Sequence, residues 1–210
     1  MDHYQLNQGT WNEVAIQYDQ KFSQMRIYDM SYDAVLELLP ANGFVLELGC
    51  ASGMVLKYFL AKLPTLKATG VDFAPAMIKL ARKNLPQVKF MLCDVCQLPI
   101  EKLQQQHAIL ATFVLPYLLP ADIEKFFWKV KSLLLPEGKF YLSFVEGQHE
   151  NGTVIKNGEG LEVSFYYYNS ENIIALLEHM QFKVLEVFKF DYLQEKEHST
   201  HTAILAQLEA

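Results

Sequence analysis

Val45-Leu46-Glu47-Leu48-Gly49-Cys50-Ala51-Ser52-Gly53 is the stretch on which the reading of this chain turns. It opens as a short apolar run, breaks into small residues and closes on a helical pattern from Met54 to Leu63. A buried strand that turns sharply into a helix reads this way. Gly49 and Gly53 carry no β-carbon, so the backbone can turn tightly and a ligand can approach it closely. The helix that follows aims unpaired N–H groups back into the same space. Glu47, at the strand end, faces that space too. A carboxylate there is a poor neighbour for a phosphate and a good one for a cation or an ammonium group. A dinucleotide loop needs G-x-G-x-x-G and positive surroundings. Here the pattern is E-x-G-x-x-x-G, with Ala51 where a middle glycine would sit. An NAD-dependent dehydrogenase is disfavoured on both counts.

Outward from this stretch the pattern alternates. Strands are expected at 44–48, 66–71, 88–93, 108–113 and 139–145, and helices at 54–63, 74–84 and 120–135. Such alternation indicates βαβ units and a parallel sheet with helices on both faces. Upstream, Trp11 to Phe22 has apolar residues at helical spacing, and a second helix is expected from Ser31 to Leu39, ahead of Pro40. Downstream, Glu146 to Gly160 is polar and glycine-rich, Leu161–Tyr168 is strand-like and aromatic, and Ser170 is placed to cap a helix running to Met180. Two final strands, 182–190 and 200–208, read as a hairpin, so at least one runs antiparallel. No linker divides the chain. The expectation is one domain over 1–210: a helical lead-in or lid over 1–42, a ligand-binding core over 43–145, and an acceptor side with the terminal hairpin over 146–210.

In open α/β sheets, ligands bind beyond the carboxyl ends of the strands, where strand order reverses. Three acids fall there: Glu47 after the first strand, Asp72 after the second and Asp94 after the third. Asp72 follows Gly49 at about the 20-residue spacing of an acid that holds a ribose diol. A carboxylate suits this because it accepts from both hydroxyls. Phe73 offers an apolar face to a flat base, and Asp94 an acceptor for its exocyclic amine. Singly, each acid also fits a helix cap, and Pro75 near a helix start makes that reading credible for Asp72. Three acids after three successive strands, one of them in a glycine loop, favour a nucleoside-type ligand.

The segments in their order resemble the class I S-adenosylmethionine (SAM)-dependent methyltransferases. Glu47 to Gly53 is similar to the family's first motif, Gly70-Val71-Asp72-Phe73-Ala74-Pro75-Ala76-Met77 to its second, and Asp94-Val95-Cys96-Gln97-Leu98-Pro99 to its third. Ala111 to Leu118 resembles the segment after strand four, and Leu135-Pro136-Glu137-Gly138-Lys139-Phe140 the turn into strand five. The resemblance implies a Rossmann-like, seven-stranded, mostly parallel sheet with helices on both faces and a C-terminal antiparallel hairpin. It implies SAM as cofactor, with Gly49 to Gly53 along its methionine end, Asp72 on the ribose and Asp94 and Val95 at the adenine; the expected cofactor-side residues are Tyr18, Glu47, Gly49, Cys50, Ala51, Gly53, Asp72, Phe73, Met77, Asp94, Val95 and Ala111. Ala51 departs from the usual glycine. Pro116 stands where many small-molecule relatives carry histidine, which removes one acid/base side chain.

Methyl transfer from a sulfonium is a direct displacement, so the protein mainly holds donor and acceptor in line. Tyr18, Phe113 and Tyr117 are candidates for an aromatic wall near the cation. Glu146 and Tyr117 are the catalytic candidates, with Glu146, directly after strand five, placed best as a general base; His149 and Glu150 follow it. A solvated surface loop is the competing reading for these three. Phe165 to Tyr168 supplies aromatic side chains for an acceptor pocket or for sheet packing. His107 lies at the wrong end of the sheet, and His198 and His201 near the last turn are weak candidates for any role.

Composition bounds the partners. The chain has 210 residues, 51% of them apolar, and a formal net charge of −6 with no Lys/Arg cluster. Nucleic-acid binding normally shows a basic stripe, so the expected partner is a small-molecule acceptor, with protein or tRNA methylation and a non-catalytic SAM-binding subunit as alternatives. No apolar run reaches the roughly 18 residues that span a bilayer, and the N-terminus lacks a signal-peptide pattern. A cytoplasmic monomer or homodimer without a membrane partner is expected. Cys93 and Cys96 form a lone C-x-x-C with no second pair to complete a zinc site; no metal is expected, and Cys93 reads as a buried thiol.

Overall fold

The computed structural model describes residues 3–147, 152–156, 160–194 and 197–209. Two helices, α1 (His3–Glu13) and α2 (Ala15–Phe22), precede α3 (Asp29–Glu37). The chain then runs β1 (Phe44–Leu48), α4 (Met54–Lys62), β2 (Lys67–Asp72), α5 (Pro75–Asn84), β3 (Lys89–Leu92), β4 (Gln106–Thr112), α6 (Pro120–Leu133) and β5 (Leu134–Val145). A small pair, β6 (Thr153–Lys156) and β7 (Glu162–Phe165), follows, then α7 (Ser170–His179), β8 (Phe182–Gln194) and β9 (Glu197–Leu208).

The main sheet has seven strands in the order β3-β2-β1-β4-β5-β9-β8. Strands β1 to β5 pair in parallel, while β9 is antiparallel to both β5 and β8. The expected fold class is therefore the observed one. Both faces of β1 are buried, as an apolar run covered on two sides requires. One face packs on α6 and α7 through Ile109, Phe127, Phe140 and Leu177. The other packs on α3, α4 and α5 through Tyr32, Phe59, Ile78 and Tyr141. Strand order reverses between β1 and β4, which opens a crevice above their carboxyl ends.

Three local expectations change. The lead-in expected as one helix over 11–22 is two, broken at Val14, and it starts earlier. The polar segment after Val145 contributes β6, whose alternation is too weak to read; β6 pairs antiparallel with β7. The cap of α7 is Asn169, not Ser170: its Oδ1 accepts from the N–H groups of Glu171 and Asn172 at 2.9 and 3.3 Å. Ser170 instead gives its own N–H to Glu146 Oε1 at 2.8 Å.

Helix α1 is fastened to β7 by side chains that stand in for a strand partner. Asn7, wholly buried, takes the Ser164 N–H on its Oδ1 at 2.8 Å and gives its Nδ2–H to the Ser164 carbonyl at 3.1 Å. Thr10 donates to the Glu162 carbonyl at 2.6 Å. His3 bonds the Ser164 hydroxyl at 2.7 Å and the Tyr117 carbonyl at 2.8 Å. These bonds place α1, α2 and the β6–β7 pair over the crevice. No described helix is long and apolar enough to cross a membrane.

Candidate functional site

The loop after β1 is shaped by its backbone. Gly49, Ala51 and Gly53 all have positive φ, at 68°, 46° and 85°. A β-carbon on Gly49 would stand 2.6 Å from Val114 Cγ2, so the loop and the segment after β4 touch where only hydrogen fits. Asp72 braces the loop from β2: its Oδ2 accepts from the Ala51 N–H and its Oδ1 from the Ala74 N–H, both at 2.9 Å. The N-cap of α5 is Ala74, without a side-chain cap bond, so Asp72 braces the backbone beside the helix while also lying on the cavity wall.

Two adjoining cavities open here. The first, about 710 Å3 and open to solvent, lies between Ala51, Asp72, Phe73, Met77, Asp94 and Val95. The second, about 1560 Å3 and also open, runs from Glu47, Gly49 and Cys50 toward Tyr28, Tyr192 and His201. Trp11, Tyr18, Thr112, Phe113 and Tyr117 line both. The N-terminal helices therefore supply wall as well as cover. Phe113 is held at φ 52°, its N–H on the Ser143 carbonyl at 3.1 Å and on Ser143 Oγ at 3.0 Å. A bulky residue held there is strained, and such strain persists where the surroundings dictate it.

The electrostatics are those of a site for a cation. Glu47 is 1% exposed, and its Oε2 has no hydrogen-bond partner among the described residues. Burial raises its pKa well above the usual carboxylate value, opposed by the Leu56 N–H in the first turn of α4 and reinforced by Asp72. Burial likewise raises Asp72 to about 6, opposed by its backbone hydrogen bonds. Thr112 Oγ1 is a second orphaned polar atom on the wall. Buried unpaired groups of this kind cost stability unless a ligand completes them.

Of the twelve expected cofactor-side residues, Tyr18, Glu47, Gly49, Cys50, Ala51, Asp72, Phe73, Met77, Asp94 and Val95 line one or both cavities. Gly53 does not; it is the left-handed N-cap of α4 and packs near Leu85 and Phe90. Ala111 does not either. It is wholly buried in the core, and Thr112, the next residue, is the one at the cavity. Strand alternation sends the two to opposite faces.

Glu146 is the main correction. It lines neither cavity. Its carboxylate accepts from the Ser170 N–H at 2.8 Å and from the Thr202 hydroxyl, with Lys189 Nζ at 3.9 Å. Those bonds, led by Thr202, hold its pKa below the usual value against the opposing effect of burial. Val145 lines the larger cavity, so alternation turns the next side chain toward α7. Tyr117 stays on the wall of both cavities, edge-on to Trp11 and Phe165, with its hydroxyl pKa raised by burial. A phenol so shifted remains protonated. His149 and Glu150 lie outside the described residues. His107 is structural, as expected: its Nδ1 accepts the Phe44 N–H at 3.0 Å. Cys93 is half-buried instead of buried. No metal-binding cluster of His, Cys, Asp or Glu occurs among the described residues.

Sequence reasoning set His201 aside, yet it sits 8% exposed on the larger cavity. Its Nδ1 is 2.6 Å from the Tyr28 hydroxyl, and its Nε2 is 3.1 Å from Ser199 Oγ. Tyr192 stacks on it at 4.7 Å, and Phe113 meets it edge-on at 5.0 Å. Nothing in the local sequence marks Tyr28 and His201 as partners, because 173 positions separate them.

Residues 45–138 match a family described as "Methyltransferase domain". The demethylmenaquinone methyltransferase of Chlamydia pneumoniae is 32% identical over 108 residues, covering 50% of this chain and 46% of that protein. The chain thus aligns with about half the length of that curated relative. Among solved structures, a Burkholderia thailandensis 1,6-didemethyltoxoflavin-N1-methyltransferase with bound 1,6-didemethyltoxoflavin and S-adenosylhomocysteine superposes with a TM-score of 0.73 at 18% identity, covering 97% of this chain and 87% of that one. The magnesium protoporphyrin IX methyltransferase of Synechocystis PCC 6803 with bound SAM does so with a TM-score of 0.73 at 14% identity, covering 100% and 98%. At such identities the structural likeness speaks for the fold alone. Laid over this sheet order, the sequence match across the β1 loop and the strand-end acids makes residues 45–138 similar to the methyltransferase-domain family, on a fold shared with class I methyltransferases.

Proposed function

We propose that the protein is an enzyme that transfers a methyl group from SAM to a small-molecule acceptor. The observation that carries this is the buried, unpartnered Glu47 carboxylate oxygen beside the Gly49 turn, in a cavity continuous with the acids of β2 and β3. An amino-acid ammonium completes Glu47. A ribose suits the remaining acceptor capacity of Asp72, and an adenine the slot between Phe73, Met77, Asp94 and Val95. When bound, SAM supplies a methyl group already activated on a sulfonium. The chain's own residues bind and orient: Tyr18, Phe113 and Tyr117 wall the junction of the two cavities with aromatic rings.

The division of labour we propose gives 43–145 to the cofactor, the N-terminal helices to cover, and the β6–β7 pair with the terminal strands to the acceptor side. A small acceptor is favoured by the aromatic lining of the larger cavity and by the absence of a Lys/Arg cluster in the sequence. The named relatives act on small molecules by their descriptions, menaquinone precursors and toxoflavin precursors among them. The test is calorimetry of the folded protein with SAM and with S-adenosylhomocysteine. Saturable binding of both, lost in Asp72→Ala, supports the proposal; no binding by folded wild-type protein ends it.

A further inference from the structure

The larger cavity continues past Glu47 and Gly49 to a wall that the cofactor reading does not use. Rings dominate it: Phe113, Tyr117, Phe165 and Tyr192. Among them stands one buried hydrogen-bonded pair, Tyr28 at the head of α3 and His201 on β9. The cavity's exposed cations, Lys21 and Arg26, belong to the last turn of α2 and to the segment after it. We infer that Tyr28 and His201 take the proton from a hydroxyl-bearing aromatic acceptor, a phenol or its fused-ring equivalent, with Tyr28 touching the acceptor and His201 acting through it. This deepens the methyltransferase reading and rests on it.

The geometry is specific. His201 pairs with Val145 of β5 and Phe190 of β8, at the carboxyl end of the parallel strands. In the Nε2–H tautomer Ser199 Oγ accepts the ring proton at 3.1 Å, which leaves the Nδ1 lone pair to the Tyr28 hydroxyl at 2.6 Å. Tyr28 lines the cavity, and a hydroxyl that gives its proton to Nδ1 keeps lone pairs for an acceptor. The groups packed around the imidazole are Tyr28, Phe113, Tyr192, Phe190 and Ser199. Glu146 belongs to the opposite face, where it takes Thr202, and His198 and Asp191 pair with each other in solvent. Among the described residues, no carboxylate therefore faces the ring. Burial lowers His201 to about 4, so the imidazole is neutral and accepting at physiological pH.

A weak base suffices. The acceptor oxygen spends a lone pair on the new carbon–oxygen bond, and the pair of the broken carbon–sulfur bond stays on sulfur. As that happens the hydroxyl proton becomes strongly acidic. It passes to the Tyr28 oxygen while the Tyr28 proton passes to Nδ1, leaving an imidazolium and a neutral ether. An amine acceptor releases its proton far less readily, so the pair fits oxygen. The flat rings of the wall prefer an aromatic partner, stacked or edge-on.

The experiment uses SAM with two probes, 4-methoxyphenol and 4-nitrophenol, on wild-type protein and Tyr28→Phe. The first probe is un-ionised at pH 8 and needs a base; the second is mostly phenolate and does not. Expected are methylation of both by the wild type, and in Tyr28→Phe a loss of about tenfold or more in kcat for 4-methoxyphenol, with KM and the 4-nitrophenol rate little changed. A merely structural role would lower both rates together. A second readout avoids variants and turnover: with S-adenosylhomocysteine bound, 4-methoxyphenol shifts the 15N resonance of His201 Nδ1. Wild-type protein that binds S-adenosylhomocysteine yet shows neither phenol methylation nor this shift overturns the inference, as does equal loss with both probes. Failure to bind S-adenosylhomocysteine at all sinks the methyltransferase reading instead.

Discussion

The carboxylate of Asp72 holds the N–H of Ala51 at 2.9 Å, so the acid that ends β2 sets the shape of the loop that ends β1. The same carboxylate holds Ala74 N–H at the head of α5. The side chain that lines the cavity therefore also shapes the loop. Asp72→Ala leaves two backbone donors without this partner and is expected to cost about 2–4 kcal/mol of stability. Asp72→Asn keeps one acceptor oxygen and is expected to cost roughly half that. Urea unfolding of both variants, beside their affinity for S-adenosylhomocysteine, checks the order wild type, Asn, Ala in both quantities.

Glu47→Gln is expected to separate binding from folding. The pKa of Glu47 is raised in the folded state, so its contribution to stability is present below about pH 4 and is lost as pH rises. The variant removes that loss, and at pH 8 its melting temperature should equal or exceed that of the wild type. Its affinity for S-adenosylhomocysteine should fall by about tenfold or more, the worth of a charged hydrogen bond. Affinity for 5′-methylthioadenosine, which lacks the amino-acid end, should not change. Equal losses for both ligands would show that Glu47 does not meet the ammonium.

The pH dependence of binding follows from the same two acids. Both have raised pKa values, Asp72 to about 6, and a cationic ligand prefers them ionised. Below that value the ligand must first displace a proton. Affinity for S-adenosylhomocysteine should therefore rise with pH from about 5 to about 7, with proton release on binding. Calorimetry in buffers of different ionisation enthalpy counts the protons, and Glu47→Gln should flatten the slope.

Gly49→Ala tests the contact between the β1 loop and Val114. The new methyl meets Val114 Cγ2 at 2.6 Å and sits on a backbone with φ 68°. The left-handed strain and the clash together should cost about 2–4 kcal/mol. Val114→Ala in the same chain should return about 1 kcal/mol of this, the clash but not the strain. A double-mutant cycle by urea unfolding measures that term.

Glu146→Ala should act on the fold and not on cofactor binding. It removes the acceptor for Ser170 N–H and Thr202 hydroxyl and is expected to cost about 1–3 kcal/mol. Because the pKa of Glu146 is lowered in the folded state, its contribution is present above the ordinary carboxylate range and is lost as pH falls through the folded value. The stability gap between wild type and variant should thus narrow on acidification, while affinity for S-adenosylhomocysteine at neutral pH stays within about twofold.

The sheet, its parallel core and much of the cavity wall were legible in the chain because their signals are local. Apolar runs of strand length, glycines at a turn and an acid directly after each strand are set by neighbours within a few residues. Tertiary structure decided the rest. The break at Val14 and the β6–β7 pair depend on α1 finding an edge to bond. Alternation at the end of β5 turned Glu146 away from the cavity, a matter of which face β9 and α7 cover. Most of all, β9 inserts antiparallel between β5 and β8 and carries His201 to Tyr28 across 173 positions. No local pattern encodes that meeting, since pairing between distant strands is fixed only when the whole sheet closes its hydrogen bonds and buries both faces.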